Sequence, residues 1–211
     1  RSELINVGPS ILPKTTSNTF AIPSQSNSLW VDYKRHLDQA GFLPEDIDAI
    51  EKSTIKTLNR LRFNTGKHEP CKGVIVGNVQ SGKTANMAAL IAMASDIGWN
   101  TFIILTGVID NLRKQTLERM ENDLHSNTSR VQIKSIPDIK KQSPSGLHLS
   151  QYDIDRYLFA CLKNSTRLKQ LLTWLNKDKT KKQQMHVLVI DDEADQASLN
   201  TKDIDGEEKT A

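Results

Sequence analysis

The chain is poor in thiols. Only Cys71 and Cys161 occur among its 211 residues, far apart and in no metal-ligand spacing. A disulfide framework and a cysteine-based zinc site are thereby excluded. Both thiols are expected to be small buried apolar side chains in a reducing cytoplasm. Long apolar runs are also missing. The run Ala88 to Ala94, extended only by Met87, falls far short of the ~20 residues that a membrane helix needs, and no signal peptide is visible, so no membrane partner is expected. The five histidines are scattered without metal spacing. Charge of one sign is scarce as well: 28 Lys and Arg stand against 25 acids, a formal net charge of +3. That is too little to declare a nucleic-acid binder, so any basic footprint must be local.

What is present suits a packed α/β domain, with 37% hydrophobic and 25% charged residues. Residues 1–28 hold Pro9, Pro13 and Pro23 among Ser, Thr and Asn, and read as an extended arm or linker. Residues 29–66 read as a helical extension. Leu29, Trp30, Tyr33 and Leu37 suit one helix ending near Gly41, and Pro44-Glu45-Asp46 opens a second, striped by Ile47, Ile50, Ile55, Leu58 and Leu61. Residues 67–211 then alternate. Strands are expected over Gly73–Val76, Thr101–Thr106, Val131–Ile136, Tyr157–Leu162 and Val187–Ile190. Helices are expected over Lys83–Ile97, over Asp110–Leu124 and after Asn164–Ser165, and a lysine-rich loop before the last strand. Such alternation implies a mostly parallel sheet flanked by helices.

The strongest chemical signal is Gly77-Asn78-Val79-Gln80-Ser81-Gly82-Lys83-Thr84, a Walker A pattern with an apolar strand before it and a helix after it. Its two glycines let the backbone curl so that successive N–H groups face phosphate oxygens. The following helix adds its N-terminal partial charge. Lys83 is expected to reach the β- and γ-phosphates of ATP, and the Thr84 hydroxyl to ligate Mg²⁺.

The second signal is Val187-Leu188-Val189-Ile190-Asp191-Asp192-Glu193-Ala194-Asp195. An apolar strand that ends in acids delivers carboxylates to the carboxyl edge of the sheet, where open α/β folds bind ligands. Asp192 suits Mg²⁺ coordination and Glu193 activation of the attacking water. Asp191 is a third acid, beside the metal or facing solvent.

Asp192-Glu193-Ala194-Asp195 spells the DEAD form of motif II in superfamily-2 helicases, and Thr106-Gly107 followed by Asn111-Leu112-Arg113-Lys114-Gln115-Thr116 resembles their motif Ia. Together, the wording of the three motifs resembles the ATPase region of Z1-domain proteins over roughly Leu29 to Ser198. The resemblance implies a RecA-like P-loop NTPase fold and a DNA-acting, endonuclease-associated ATPase of a restriction or phage-defence system. It implies nucleic-acid contacts at Thr106, Gly107, Arg113 and Gln115. It also implies partners absent from this chain: a second RecA-like domain with arginine fingers, a Z1 domain, and restriction or defence subunits. The chain opens on Arg1 and ends 16 residues after Asp195, so a fragment with half an ATP site is expected.

Two departures narrow the resemblance. No Gln lies between Gly41 and Val79, so the adenine-reading Gln of DEAD-box RNA helicases is absent. No nuclease constellation stands apart from the acids already used for Mg²⁺ and ATP. Other readings stay open. Arg113 and Lys114 also suit the wet face of an ordinary helix with Leu112 and Leu117 facing the core. Lys177, Lys179, Lys181 and Lys182 also suit a solubilising loop. A nucleotide-gated switch acting on a partner protein, never on DNA, fits the same two ATP motifs.

Overall fold

The computed structural model describes residues 19–63, 71–73, 82–150 and 152–192. Among these residues four parallel strands, β1 (Thr101–Thr106), β2 (Gln132–Ser135), β3 (Asp155–Leu162) and β4 (Val187–Asp191), form one sheet in the order β2-β3-β1-β4. The helices are α1 (Leu29–Gln39), α2 (Pro44–Leu58), α3 (Lys83–Ile97), α4 (Asp110–Asp123), α5 (Ser165–Leu175) and α6 (Lys179–Gln184). The architecture is therefore α/β with an all-parallel sheet, as the alternating pattern implies.

The central strands read as continuous apolar runs because both faces are covered. Phe102, Ile104 and Leu158 enter a core with α1 to α4, while Ile103, Tyr157 and Phe159 enter a second core with Leu171 and Trp174 of α5. Helix α3 is apolar almost all round, and Ala85 through Ser95 is buried apart from Asn86, because it packs against α1 and α2 and shares one core with Phe102, Ile104 and Leu158 of the sheet. Its C-terminal stop is Gly98 at φ 123°, a conformation that a side chain would strain.

The helical pair is latched onto α3 by a carboxylate. The first-turn N–H groups of Leu29 and Trp30 donate to Asp96 at 3.0 and 2.9 Å, and Ser28 caps Val31 N–H. The Asp96 side chain is fully buried. Burial pushes its pKa up, against the two backbone donors and the nearby Arg130 and Arg156. On the outer side of α1, Asp32 accepts from the Ser126 and Thr128 hydroxyls and pairs with Arg35. Ahead of α1, Asn59 grips Phe20 through both its N–H and its carbonyl.

Several expectations need correction. The lysine-rich loop is partly helical: Asp178 caps α6 by accepting from Lys181 N–H. Strand β3 starts two residues early, at Asp155, where Lys134 holds the carboxylate at 2.8 Å. Thr54 joins Ile47, Ile50 and Leu58 in the buried stripe of α2, since 47, 50, 54 and 58 share one helical face, while Ile55 and Leu61 pack against the same core only partly buried. Cys71 and Cys161 are half-buried free thiols. Of the expected strand Gly73–Val76, Gly73 is not in a strand and the rest lies outside the described residues. Among the described residues no helix is long and apolar enough to cross a membrane.

Candidate nucleotide site at the carboxyl edge of the sheet

The described ends of the two motifs expected to bind ATP, Lys83 and Asp192, meet at the carboxyl edge of the sheet. Strand β4 pairs with β1 in the register Leu105↔Asp191, and Asp192 N–H extends the ladder by donating to Leu105 O at 2.9 Å. This fixes the backbone of Asp192 just past the end of the strand. Lys83, the first residue of α3, reaches it with Nζ 2.7 Å from Asp192 Oδ1. Ahead of Lys83, Gly82 caps the helix at φ 81°, ψ 6°, a left-handed conformation that favours glycine. Its carbonyl accepts from Asn86 N–H at 2.8 Å and Asn86 Nδ2 at 2.9 Å, and Ser53 of α2 donates to Asn86 Oδ1 at 3.2 Å. The helical extension thus braces the turn that presents Lys83. Thr84 is half-buried in the first turn of α3. The remaining expected site residues, Gly77, Asn78, Val79, Gln80, Ser81 and Glu193, lie outside the described residues, as does Asp195.

A second lysine–aspartate pair stands beside the first. Lys163 follows β3 directly; its Nζ is 2.6 Å from Asp191 Oδ1, and its side chain is 6% exposed. Lys163 N–H also donates to Thr106 O at 3.0 Å and to Gly107 O at 3.3 Å. Asp191 is therefore compensated by a largely buried ammonium, whereas Asp192 is held by a lysine that is 57% exposed. Sequence reading missed Lys163. Its signal was a lysine directly after an apolar parallel strand, where the chain turns at the same edge as the acids.

The segment resembling motif Ia is less open than its wording suggests. Thr106 is buried, and its hydroxyl donates to Cys161 O at 3.4 Å. The Arg113 side chain is 14% exposed; Nε pairs with Asp110 at 2.8 Å, while Nη1 donates to Pro137 O at 3.2 Å and Ala160 O at 3.5 Å. These bonds tie α4 to β3 and to the chain beyond β2. Gln115 and Lys114 face solvent, the latter paired with Asp110 at 3.3 Å. Leu112, expected in the core with Leu117, is 44% exposed, while Leu117 is buried. Five residues at roughly 100° each turn it about 140° away from Leu117. Val108 and Ile109, which follow β1, are exposed as well.

Comparison of the chain with protein-family models, with curated proteins and with solved structures finds no match in any of the three.

The described residues fit a magnesium nucleotide in kind. An ammonium, a hydroxyl and the N–H groups at the start of α3 suit phosphate oxygens and a hard cation, and Asp192 adds an oxygen ligand. One carboxylate is not a metal cage, and among the described residues no group of three or more His, Cys, Asp or Glu could hold a metal.

Proposed function

We propose that this chain binds and hydrolyses ATP with Mg²⁺, as the RecA-like P-loop domain of a cytoplasmic, DNA-acting motor of a restriction or defence system. The observation that carries the reading is the 2.7 Å pair between Lys83 and Asp192. It joins the ends of two motifs far apart in sequence, at the start of a helix and at the carboxyl edge of a parallel sheet.

Lys83 exchanges its partner on nucleotide binding, from the Asp192 carboxylate to the phosphates. Thr84 and Asp192 hold the cation. Bound Mg²⁺ supplies neutralisation of charge that develops on the phosphates. Glu193 orients and deprotonates the attacking water, and Lys163 keeps Asp191 charge-compensated, leaving Asp192 as the carboxylate for the metal. Arginine fingers from a second RecA-like domain complete the site and can contribute ~10³–10⁵ in rate, so residues 1–211 alone bind Mg·nucleotide with little turnover. A Z1 domain and defence subunits are the further partners of this reading.

Titration with a fluorescent ATP analogue tests it: binding is expected for the wild-type chain and lost in Lys83→Ala. Glu193→Gln is expected to retain nucleotide while blocking turnover in the protein that carries the second domain. Equal nucleotide binding by wild type and Lys83→Ala sinks the assignment.

One observation favours the switch reading, in which the ATP cycle regulates a partner protein: the guanidinium of Arg113 is spent inside the chain. ATPase rates with and without DNA separate the two, since stimulation supports the motor and indifference the switch.

A further inference from the structure

The modest net charge conceals an asymmetry. Residues 131–186 carry eleven Lys and Arg against four Asp, a formal +7, while the whole chain has only +3. Part of that excess gathers in one groove. A cavity of about 740 Å³ opens between the turn after β2 and one face of α5. Lys140 and Lys141 stand on one wall, and Lys169, Gln170 and Lys177 on the other. Lys169, Gln170 and Thr173 of α5 recur at helical spacing and share one face, and Lys177 follows two residues beyond the end of the helix.

Three observations give this groove a chemistry. All four lysines are exposed, and among the described residues no carboxylate lines the cavity. Among the described residues, none of the four ammonium groups makes an ion pair, unlike the exposed Lys34 with Glu51, Lys52 with Asp48 and Lys114 with Asp110, although Lys56, Lys72, Lys179 and Lys182 are likewise exposed and make none. The nearby Asp138 carboxylate is occupied in its turn, accepting from Lys140 N–H at 2.9 Å. The floor is rigid as well: Trp174 is buried and its Nε1 donates to Gln142 O at 2.6 Å. That indole offers no face on which a base could stack.

We propose that this groove binds the phosphate backbone of a nucleic acid without regard to base sequence. Lysine ammonium groups flanked by neutral donors such as Gln170 suit phosphate oxygens, which position a strand but carry no sequence information. From Lys169 to its end at Leu175, α5 advances about 9 Å at 1.5 Å per residue, and Lys177 follows two residues beyond, a reach on the order of three nucleotide steps of roughly 3.4 Å each. The groove gives the DNA-acting part of the proposed function a surface that the inward-facing Arg113 does not. It rests on that reading only for its biological setting, since its test needs no nucleotide.

The test is fluorescence anisotropy of a labelled single-stranded 20-mer titrated with the wild-type chain at several salt concentrations, alongside K169E/K177E, K169Q/K177Q and a charge-matched control on α2, K52E/K56E. The expected result is micromolar binding, weakened at least about tenfold by K169E/K177E and under about threefold by the control. In K169Q/K177Q the slope of log affinity against log salt should shrink by about 1.4, two contacts at roughly 0.7 each. Lys83→Ala is expected to leave this binding unchanged, which separates failure here from failure of the ATP reading. Circular dichroism melts confirm that each variant is folded, and the Gln pair serves if the Glu pair is not. No anisotropy change up to about 100 μM overturns the proposal, as does an equal loss in the control. So does equally tight, equally lysine-dependent binding to polyglutamate or phosphatidylserine vesicles, which would identify an acidic protein or a membrane as the partner.

Discussion

Asp96 and Asp192 are both aspartates near an end of α3, and they behave in opposite ways. Asp96 is fully buried, accepts two backbone N–H groups of α1 and lies near Arg130 and Arg156. Asp192 is partly exposed and meets one lysine that is itself mostly in solvent. A saturated, dry carboxylate holds elements together, because any exchange would strand a buried charge. A wet carboxylate with a mobile partner can trade that partner for a ligand at little cost. The Asp96 end of the molecule therefore reads as a latch and the Asp192 end as a site.

The contrast is sharpest under substitution. If the proposed function holds, Lys83→Ala is expected to reduce ATP turnover, measured in a protein that carries the proposed second domain, more than about 100-fold, the scale for removing one electrostatic group aimed at developing charge, while leaving the melting temperature within a few degrees. Steady-state kinetics and a thermal melt together check this, and a large loss of stability would erase the distinction. Asp96→Ala should do the reverse. Stranding two α1 amides and the neighbouring arginines is expected to cost about 3 kcal/mol, lowering Tm by roughly 6–12 °C, with nucleotide affinity nearly unchanged in the fraction that stays folded.

Smaller effects refine the comparison. Acid should loosen the outer side of α1. Burial pushes Asp32 up, but the Ser126 and Thr128 hydroxyls and Arg35 outweigh it and leave the carboxyl below its ordinary value of 3.8. Its stabilising contribution is thus present above the unfolded-state pKa and lost as pH falls through the lowered folded-state value. Asp96 has the opposite sign: its raised pKa favours the folded state at low pH, and that contribution is lost as pH rises through the folded value. Removing Asp32 by Asp32→Asn should flatten the low-pH limb of a stability profile, and an unchanged limb would show that other carboxylates dominate it. The smallest effect is expected for Leu112→Ser, within about 0.5 kcal/mol by denaturant titration, because the side chain is exposed.

Local chemistry made much of the molecule legible in one dimension. Helix α3 begins at Lys83 and ends against Gly98, and β1 spans Thr101–Thr106, as expected from an apolar run between a glycine stop and a turn. Asp178 before a lysine-rich stretch was a readable cap, yet charge density drew attention from it. Lys163 and Asp191 are 28 positions apart, and no spacing rule links two strand ends that only parallel pairing through β1 makes neighbours. The direction of Arg113 likewise depends on carbonyls of Pro137 and Ala160, which the fold delivers.

The residues alone determined the alternation of elements, the covered sheet and the candidate roles of Lys83 and Asp192, because periodicity, caps and motif spacing are properties of contiguous chain. Tertiary structure decided which of two adjacent aspartates takes the buried lysine and which the exposed one. It also turned Arg113 inward and gathered Lys140, Lys141, Lys169 and Lys177 around one groove. Those outcomes rest on register and packing between distant segments, where Coulomb energy and desolvation depend on distance through space rather than along the chain.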